Sequence, residues 1–194
     1  LKANDHVNIC VGLSPVMKRE TPEEAVHIYG VRNIVSTLRP HQRFTHVSAA
    51  GTHLDSDSTY FTTKWLGEQE AFKHSKTTVI RPGLMIGEKS EFSQSLIVTK
   101  IFRVFPNIDT HVMPISVERV ARKIVEAQHE GNIVVVGGEP RTVSNVVKQQ
   151  VKGPVLFLPG FVWRPVFYVV TKIGLFGLSD EQRILLREGA VDSL

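Results

Sequence analysis

FTHVSAAGTHLDSDSTYFTTKWLGEQEAFKHSKTTVIRPG, residues 44–83, is the stretch that decides the fold. Phe44 to Ser48 is a short apolar run ending on a hydroxyl, as in a buried parallel strand. Gly51 to Thr59 is polar and loop-like. A helix-forming run follows from Tyr60 to about His74, and a second β-rich run, Thr77 to Arg81, is stopped by Pro82-Gly83. Strand, helix and strand in that order form the unit from which parallel sheets are built. Such sheets place their chemistry at the carboxyl ends of the strands, which is where the polar residues fall here.

Inside the unit, Tyr60 and Lys64 are four residues apart, so on a helix they project from one face a turn apart. Ser48, at the end of the preceding strand, is placed to face them across the cleft. A phenol titrates near ~10 and is a poor acid or base at neutral pH, but a neighbouring ammonium favours the phenolate and lowers that value. A hydroxyl on the strand end can hold a substrate oxygen while the tyrosine passes it a proton. The three residues therefore outline a site for carbonyl reduction, with a nicotinamide supplying the hydride. The simpler alternative is a surface ion pair between Lys64 and Glu68, one turn on, worth a few tenths of a kcal/mol, about 0.3–0.5.

Ser48 in H-V-S, then Y-x-x-x-K-x-x-G-E (Tyr60, Lys64, Gly67, Glu68), then R-P-G-x-x-x-G (Arg81 to Gly87) resemble the short-chain dehydrogenase/reductase superfamily in its extended and atypical branches. The combination looks most like the branch holding the reductase-like accessory subunit of mitochondrial respiratory complex I and its bacterial relatives. Glu91 to Ser95 and Pro114 to Val117 are similar to that branch too, and the likeness runs from about Val7 to Lys148. It implies a Rossmann-like parallel sheet and NADP or NAD as cofactor. It implies Tyr60 as proton donor and acceptor, Lys64 on the nicotinamide ribose, and Ser48 orienting the substrate. Pro82 and Gly83 would line the nicotinamide pocket, and Gly12 would allow close approach to the cofactor. One departure is severe: the family opens on a glycine-rich turn for the dinucleotide phosphates, and no G-x-G-x-x-G occurs here. The expectation is the carboxyl-terminal part of the fold, its first βαβ missing and the strand near Val7 left with an unpaired edge.

Elsewhere the chain punctuates itself. Val7 to Gly12 reads as a strand, with Cys10 as a buried, inert thiol in it. Thr21-Pro22-Glu23-Glu24 opens a helix by a capping box, Val31, Ile34, Val35 and Leu38 give it an apolar face, and Pro40 ends it. Phe92 to Phe105 reads as one helix broken by Pro106-Asn107. His111 to Pro114 is a short strand, Ser116 caps a helix with Val117, Val120, Ala121, Ile124 and Val125 on one side, Ile133 to Val136 is a buried strand, and Thr142 to Gln150 is a short helix. Gly137-Gly138 reads as a turn.

The chain has 194 residues, 42% hydrophobic and 22% charged, which suits one domain with an appendage: a Rossmann-like domain over 1–150 and a helical extension over 151–194. Net charge is +4, but no basic run interleaves with aromatics, which argues against nucleic acid. The eight histidines are scattered and one cysteine builds no zinc cluster, so no metal site is expected. Val155 to Leu178 is apolar over more than twenty residues, yet its prolines, glycines, Arg164 and Lys172 argue against a clean membrane span. It reads as a segment lying on a membrane or partner, with Trp163 and Tyr168 at the interface, or as a cover for the domain's own core. Ser179 to Gln182 opens a last helix carrying Ile184, Leu185 and Leu186.

Two functions remain open. One is a non-catalytic, NADP(H)-binding accessory subunit of a large mitochondrial membrane complex, complex I by resemblance, on the matrix side of the inner membrane. The other is an active NAD(P)-dependent reductase or dehydrogenase of a lipophilic carbonyl or quinone-related substrate, working through Ser48, Tyr60 and Lys64.

Overall fold

The computed structural model describes residues 5–13, 21–126, 131–172 and 184. Its centre is a four-stranded sheet in the order β1 (His6–Ile9), β2 (Arg43–Val47), β3 (Thr77–Pro82), β8 (Ile133–Val136), with every neighbouring pair parallel. The 44–83 unit is as the sequence predicts: β2 and β3 are bridged by α2 (Thr59–Ala71), whose N-cap Ser58 accepts the Phe61 N–H. The fold is α/β, with a Rossmann-like parallel sheet.

Register assigns the two faces, because side chains alternate along each strand. Val7, Ile9 and Phe44 share one face and pack with α1 (Val31–Thr37) and Ala71 of α2. Val31, Ile34, Val35 and Leu38 supply the helical stripe that the spacing predicts. Ile80, Val134 and Val136 point to the other face and meet α5 (Val117–Glu126) through Val120 and Ile124. A second core lies beyond the sheet. It joins β4 (Leu84–Ile86), α3 (Glu91–Ser95), α4 (Ile97–Phe102), β5 (Val104–Pro106), α6 (Val143–Gln150) and β10 (Leu156–Leu158) around Leu96, Ile108, Val146 and Val147. β6 (His111–Val112) pairs with β9 (Arg141–Thr142), and β7 (Pro114–Ser116) pairs with β4.

Several expectations need correction. The first strand stops at Ile9, so Cys10 lies outside it and is exposed rather than buried. The helix before β2 begins as a π-helical turn, Ala25–Gly30, which runs into α1. Phe92 to Phe105 is two short helices meeting at Leu96, and its last residues form β5, paired in parallel with β10. Arg103, at φ 57°, turns the chain between α4 and β5. Ile133 and Val135 are partly exposed, because β8 is an edge strand and the α1/α2 layer leaves that face of it open. Val117 and Val125 are also exposed, so the α5 stripe narrows to Val120 and Ile124. β1 forms the other edge, unpaired on its outer side among the described residues. The apolar tail begins inside the second core: β10 pairs with β5, and Trp163 of α7 (Gly160–Lys172) packs on that core and donates its Nε1–H to the Asn107 carbonyl, 3.3 Å. The helix expected after Ser179 lies outside the described residues apart from Ile184.

Candidate functional site

Six sequence-predicted residues collect at one end of the sheet. Gly12 follows β1, Ser48 follows β2, Pro82 and Gly83 finish β3, and Tyr60 and Lys64 occupy the first half of α2. In a parallel α/β sheet this carboxyl edge is where ligands bind.

Lys64 holds the group together. It is only 4% exposed, and its ammonium donates to the Val47 carbonyl at 3.3 Å. A Cβ on Gly12 would stand 2.7 Å from Nζ, so a larger residue there would push the Lys64 ammonium aside. Burial lowers the Lys64 pKa to about 8, against the opposing pull of Glu68, Cys10 and Glu23. The surface pair with Glu68 does not form. Glu68 is fully buried and receives two bonds from Arg81, at 2.9 and 2.7 Å, clamping α2 to β3.

The Tyr60 ring lies under the same ammonium, 6.0 Å from centroid to Nζ. Its phenol is not tuned in the expected direction. Burial pushes the pKa up, and the carboxylates of Glu23 and Glu91 push it further, so the proton stays on at neutral pH. Ser48 is buried, and its Oγ has no hydrogen-bond partner, a rare condition for a buried hydroxyl. Pro82 and Gly83 knit the strand ends: the Pro82 carbonyl accepts the Ala50 N–H at 2.8 Å, and the Gly83 N–H donates to Val136 at 2.9 Å. A Cβ on Gly83 would overlap the Met113 carbonyl, so this glycine serves backbone packing.

Two histidines complete the cluster, and nothing in their sequence spacing marks them. His27, in the π-helical turn, is 2% exposed and packs edge-on against Tyr60, with centroids 5.7 Å apart. Its Nε2 accepts the Leu13 N–H at 3.0 Å, so Nδ1 carries the hydrogen and donates to Thr63 Oγ1 at 2.9 Å. Thr63 Oγ1 in turn donates to the Tyr60 carbonyl, 3.2 Å. Burial first and Lys64 second lower the His27 pKa to about 4. His46, stacked on Phe44 in β2, is neutral by the same causes, with its pKa at about 3, and neither ring nitrogen has a partner. Signals for both existed only in three dimensions: an alternating strand that buries an imidazole, and a helix that turns one toward the loop.

A cleft of about 760 Å³ is lined by Ile86, Gly87, Ser90, Ser116, Glu118 and Gln150 among others, and none of the six site residues lines it. Glu91, which acts on the Tyr60 phenol, follows Ser90 of that lining. No cluster of His, Cys, Asp and Glu among the described residues is arranged to hold a metal.

No family model and no curated protein matches the chain at the level of sequence. Solved structures share its fold. The protein gox2253 superposes with a TM-score of 0.69 at 16% identity, over 99% of this chain and 71% of that one. The dTDP-glucose 4,6-dehydratase of Bacillus anthracis, solved with NAD, gives 0.65 at 13% identity, over 80% and 61%. The dTDP-4-dehydrorhamnose reductase of the same organism, solved with NADP, gives 0.65 at 16%, over 80% and 66%. At these identities the likeness is one of fold. The chain spans 61% to 71% of the length of these three proteins.

Proposed function

We propose that this chain carries the proton-handling part of an NAD(P)(H)-dependent reductase or dehydrogenase site for a lipophilic carbonyl or quinone-related substrate. The observation that carries the reading is the burial of Lys64: a cation brought down to about 8, set against Gly12 and Val47 at the ends of two neighbouring strands and one turn from Tyr60. Burying a charge costs several kcal/mol, about 3 or more. A buried charge with no bonded countercharge among the described residues, unlike the paired Glu68, marks a candidate functional site. Neighbours of the same fold solved with NAD and with NADP support a dinucleotide at this edge.

The residues present fit the nicotinamide end of such a cofactor. Gly12 brings the backbone after β1 against the Lys64 ammonium, and the buried, unpartnered Ser48 hydroxyl is a donor in search of an acceptor. The sequence contains no glycine-rich turn for the phosphates, so these residues account for that end alone. When bound, a nicotinamide supplies the hydride. Ser48, after rotation about χ1, gives its hydrogen bond to the substrate oxygen. Tyr60 holds the proton that this oxygen takes as it becomes an alkoxide, a base strong enough for a phenol of raised pKa. Lys64 stabilises the phenolate that remains. Glu23 and Glu91, which act on the phenol, favour an uncharged substrate over an anionic one.

The test is turnover of NADPH and NADH with a panel of carbonyls and quinones, alongside Tyr60→Phe. The expected outcome is activity that falls by about 10²-fold or more in the variant. Absence of turnover, or turnover indifferent to the change, removes the enzyme reading. The second reading is a non-catalytic accessory subunit of complex I on the matrix side of the inner mitochondrial membrane. Its non-catalytic part is favoured by the upward shift of Tyr60, which keeps the phenol protonated, and its complex I part rests on the resemblance alone. Its signature is NADPH binding without turnover, together with co-purification with complex I subunits.

A further inference from the structure

α4, β10 and α7 leave a strip of large apolar side chains uncovered. Ile97 and Ile101 sit one turn apart on α4, 61% and 67% exposed, and Phe102 follows at 70%. Leu156 of β10 is also exposed; it pairs with Val104, and its N–H donates to the Arg103 carbonyl, which sets it beside the end of α4. Phe161, in the first turn of α7, is 80% exposed, while Trp163 two residues on turns into the second core. Single exposed hydrophobics are ordinary, but several on adjoining elements mark an interaction surface.

The charge around the strip identifies the partner. Residues 92–108 and 140–172, which build these elements, hold seven of the chain's 23 Lys and Arg and no Asp or Glu, while Glu91, Asp109 and Glu139 flank the two segments and Glu139 pairs with Arg141. Lys100, Arg103, Lys148, Lys152 and Arg164 are all exposed. The Arg103 guanidinium donates to the Lys152 carbonyl, which gathers two of these cations at the rim of the strip. Protein interfaces usually carry both signs at their rims. A rim on which cations outnumber carboxylates matches a negative surface, and apolar tips beside it match the boundary between headgroups and acyl chains. No helix among the described residues is long and apolar enough to cross a membrane, so the contact is with the surface.

We propose that α4, β10 and α7 together dock on an anionic lipid bilayer. The α7 part is anticipated by composition; the α4 part is visible only once the fold brings residues 97–103 beside 152–156. The proposal does not rest on the enzyme reading. The test is flotation of the full chain with vesicles of phosphatidylcholine alone and with vesicles containing about one-third phosphatidylglycerol, at low and high salt. Binding to the anionic vesicles alone is expected, weakened by salt. Lys148→Glu and Lys152→Glu should each lower partitioning about fivefold or more, and Ile101→Ser with Phe102→Ser should abolish it while the melting temperature holds. Equal binding to both vesicle types, or none to either, overturns the proposal. So does a concentration-dependent dimer that the Phe102→Ser change dissolves, since the strip would then belong to a second copy of the chain.

Discussion

The two halves of α2 bury opposite charges in opposite ways. In the second half, Glu68 is sealed from solvent and receives both prongs of the Arg81 guanidinium, so its charge is matched atom for atom. In the first half, Lys64 is nearly as deep and meets a backbone carbonyl, two neutral imidazoles nearby and a glycine edge. A paired charge in a core fastens two elements. A charge held by a carbonyl's partial charge has its pKa dragged toward neutrality and stays available to other partners. One helix thus carries a structural clamp and a chemical group a single turn apart.

The comparison breaks most visibly at the clamp. Arg81→Ala strands a buried carboxylate and is expected to cost about 3–5 kcal/mol in chemical denaturation. Converting both partners to leucine should restore most of that loss, since an apolar pair of similar bulk needs no hydration. A single substitution costing under about 1 kcal/mol would show that Glu68 finds other partners and is no clamp.

Lys64→Met sharpens the contrast and has a pH signature. The unfolded lysine titrates near its ordinary 10.5 and the folded one at about 8. Between those values the unfolded chain holds a proton that the folded protein has released. Stability therefore rises with pH across the window, by up to about 3 kcal/mol, and below pH 8 the folded state bears the whole penalty. Tyr60 acts in the contrary sense as pH passes its ordinary value, because the unfolded phenol ionises first, so the reading belongs between about pH 8 and 10. The expected result is a methionine variant more stable than the parent at pH 7, with the gap closing toward pH 10. A gap independent of pH would mean that Lys64 reaches water.

How much of this was legible follows from what each feature depends on. β2, α2 and β3 are readable because apolar runs, a helix-forming run and Pro82-Gly83 are local signals; Ser48, Tyr60 and Lys64 follow from spacing and from which end of such strands matters, and Gly12 comes from the resemblance alone. The Glu68–Arg81 clamp was hidden because thirteen residues and a helix-to-strand crossing separate its partners, while Lys64 offered a tempting local one. β5 was read as the end of a helix because three residues, Val104 to Pro106, become a strand only through Leu156 to Leu158, far along the chain. The direction of the Tyr60 shift departs from the sequence expectation for a similar reason. Lys64 is a neighbour in sequence, whereas Glu23 and Glu91 reach the phenol from other elements.

The smallest expected effect concerns the neutral bonds that organise the Lys64 half. Thr63 accepts the His27 Nδ1–H, and His27 Nε2 accepts from Leu13, next to Gly12, so one imidazole links the loop after β1 to α2. Thr63→Val keeps the volume and leaves that buried N–H without an acceptor, at a cost of about 1–2 kcal/mol. Thr63→Ser should recover most of it. His27 titrates at about 4 when folded and near 6.5 when unfolded, so the unfolded chain takes up its proton first as pH falls through that range. The His27 contribution is full above pH 6.5 and declines toward pH 4, and His46, at about 3 when folded, adds to the same decline. If Thr63→Val costs nothing while that acid decline persists, the imidazole is held by burial alone and the link from loop to helix does not organise the site.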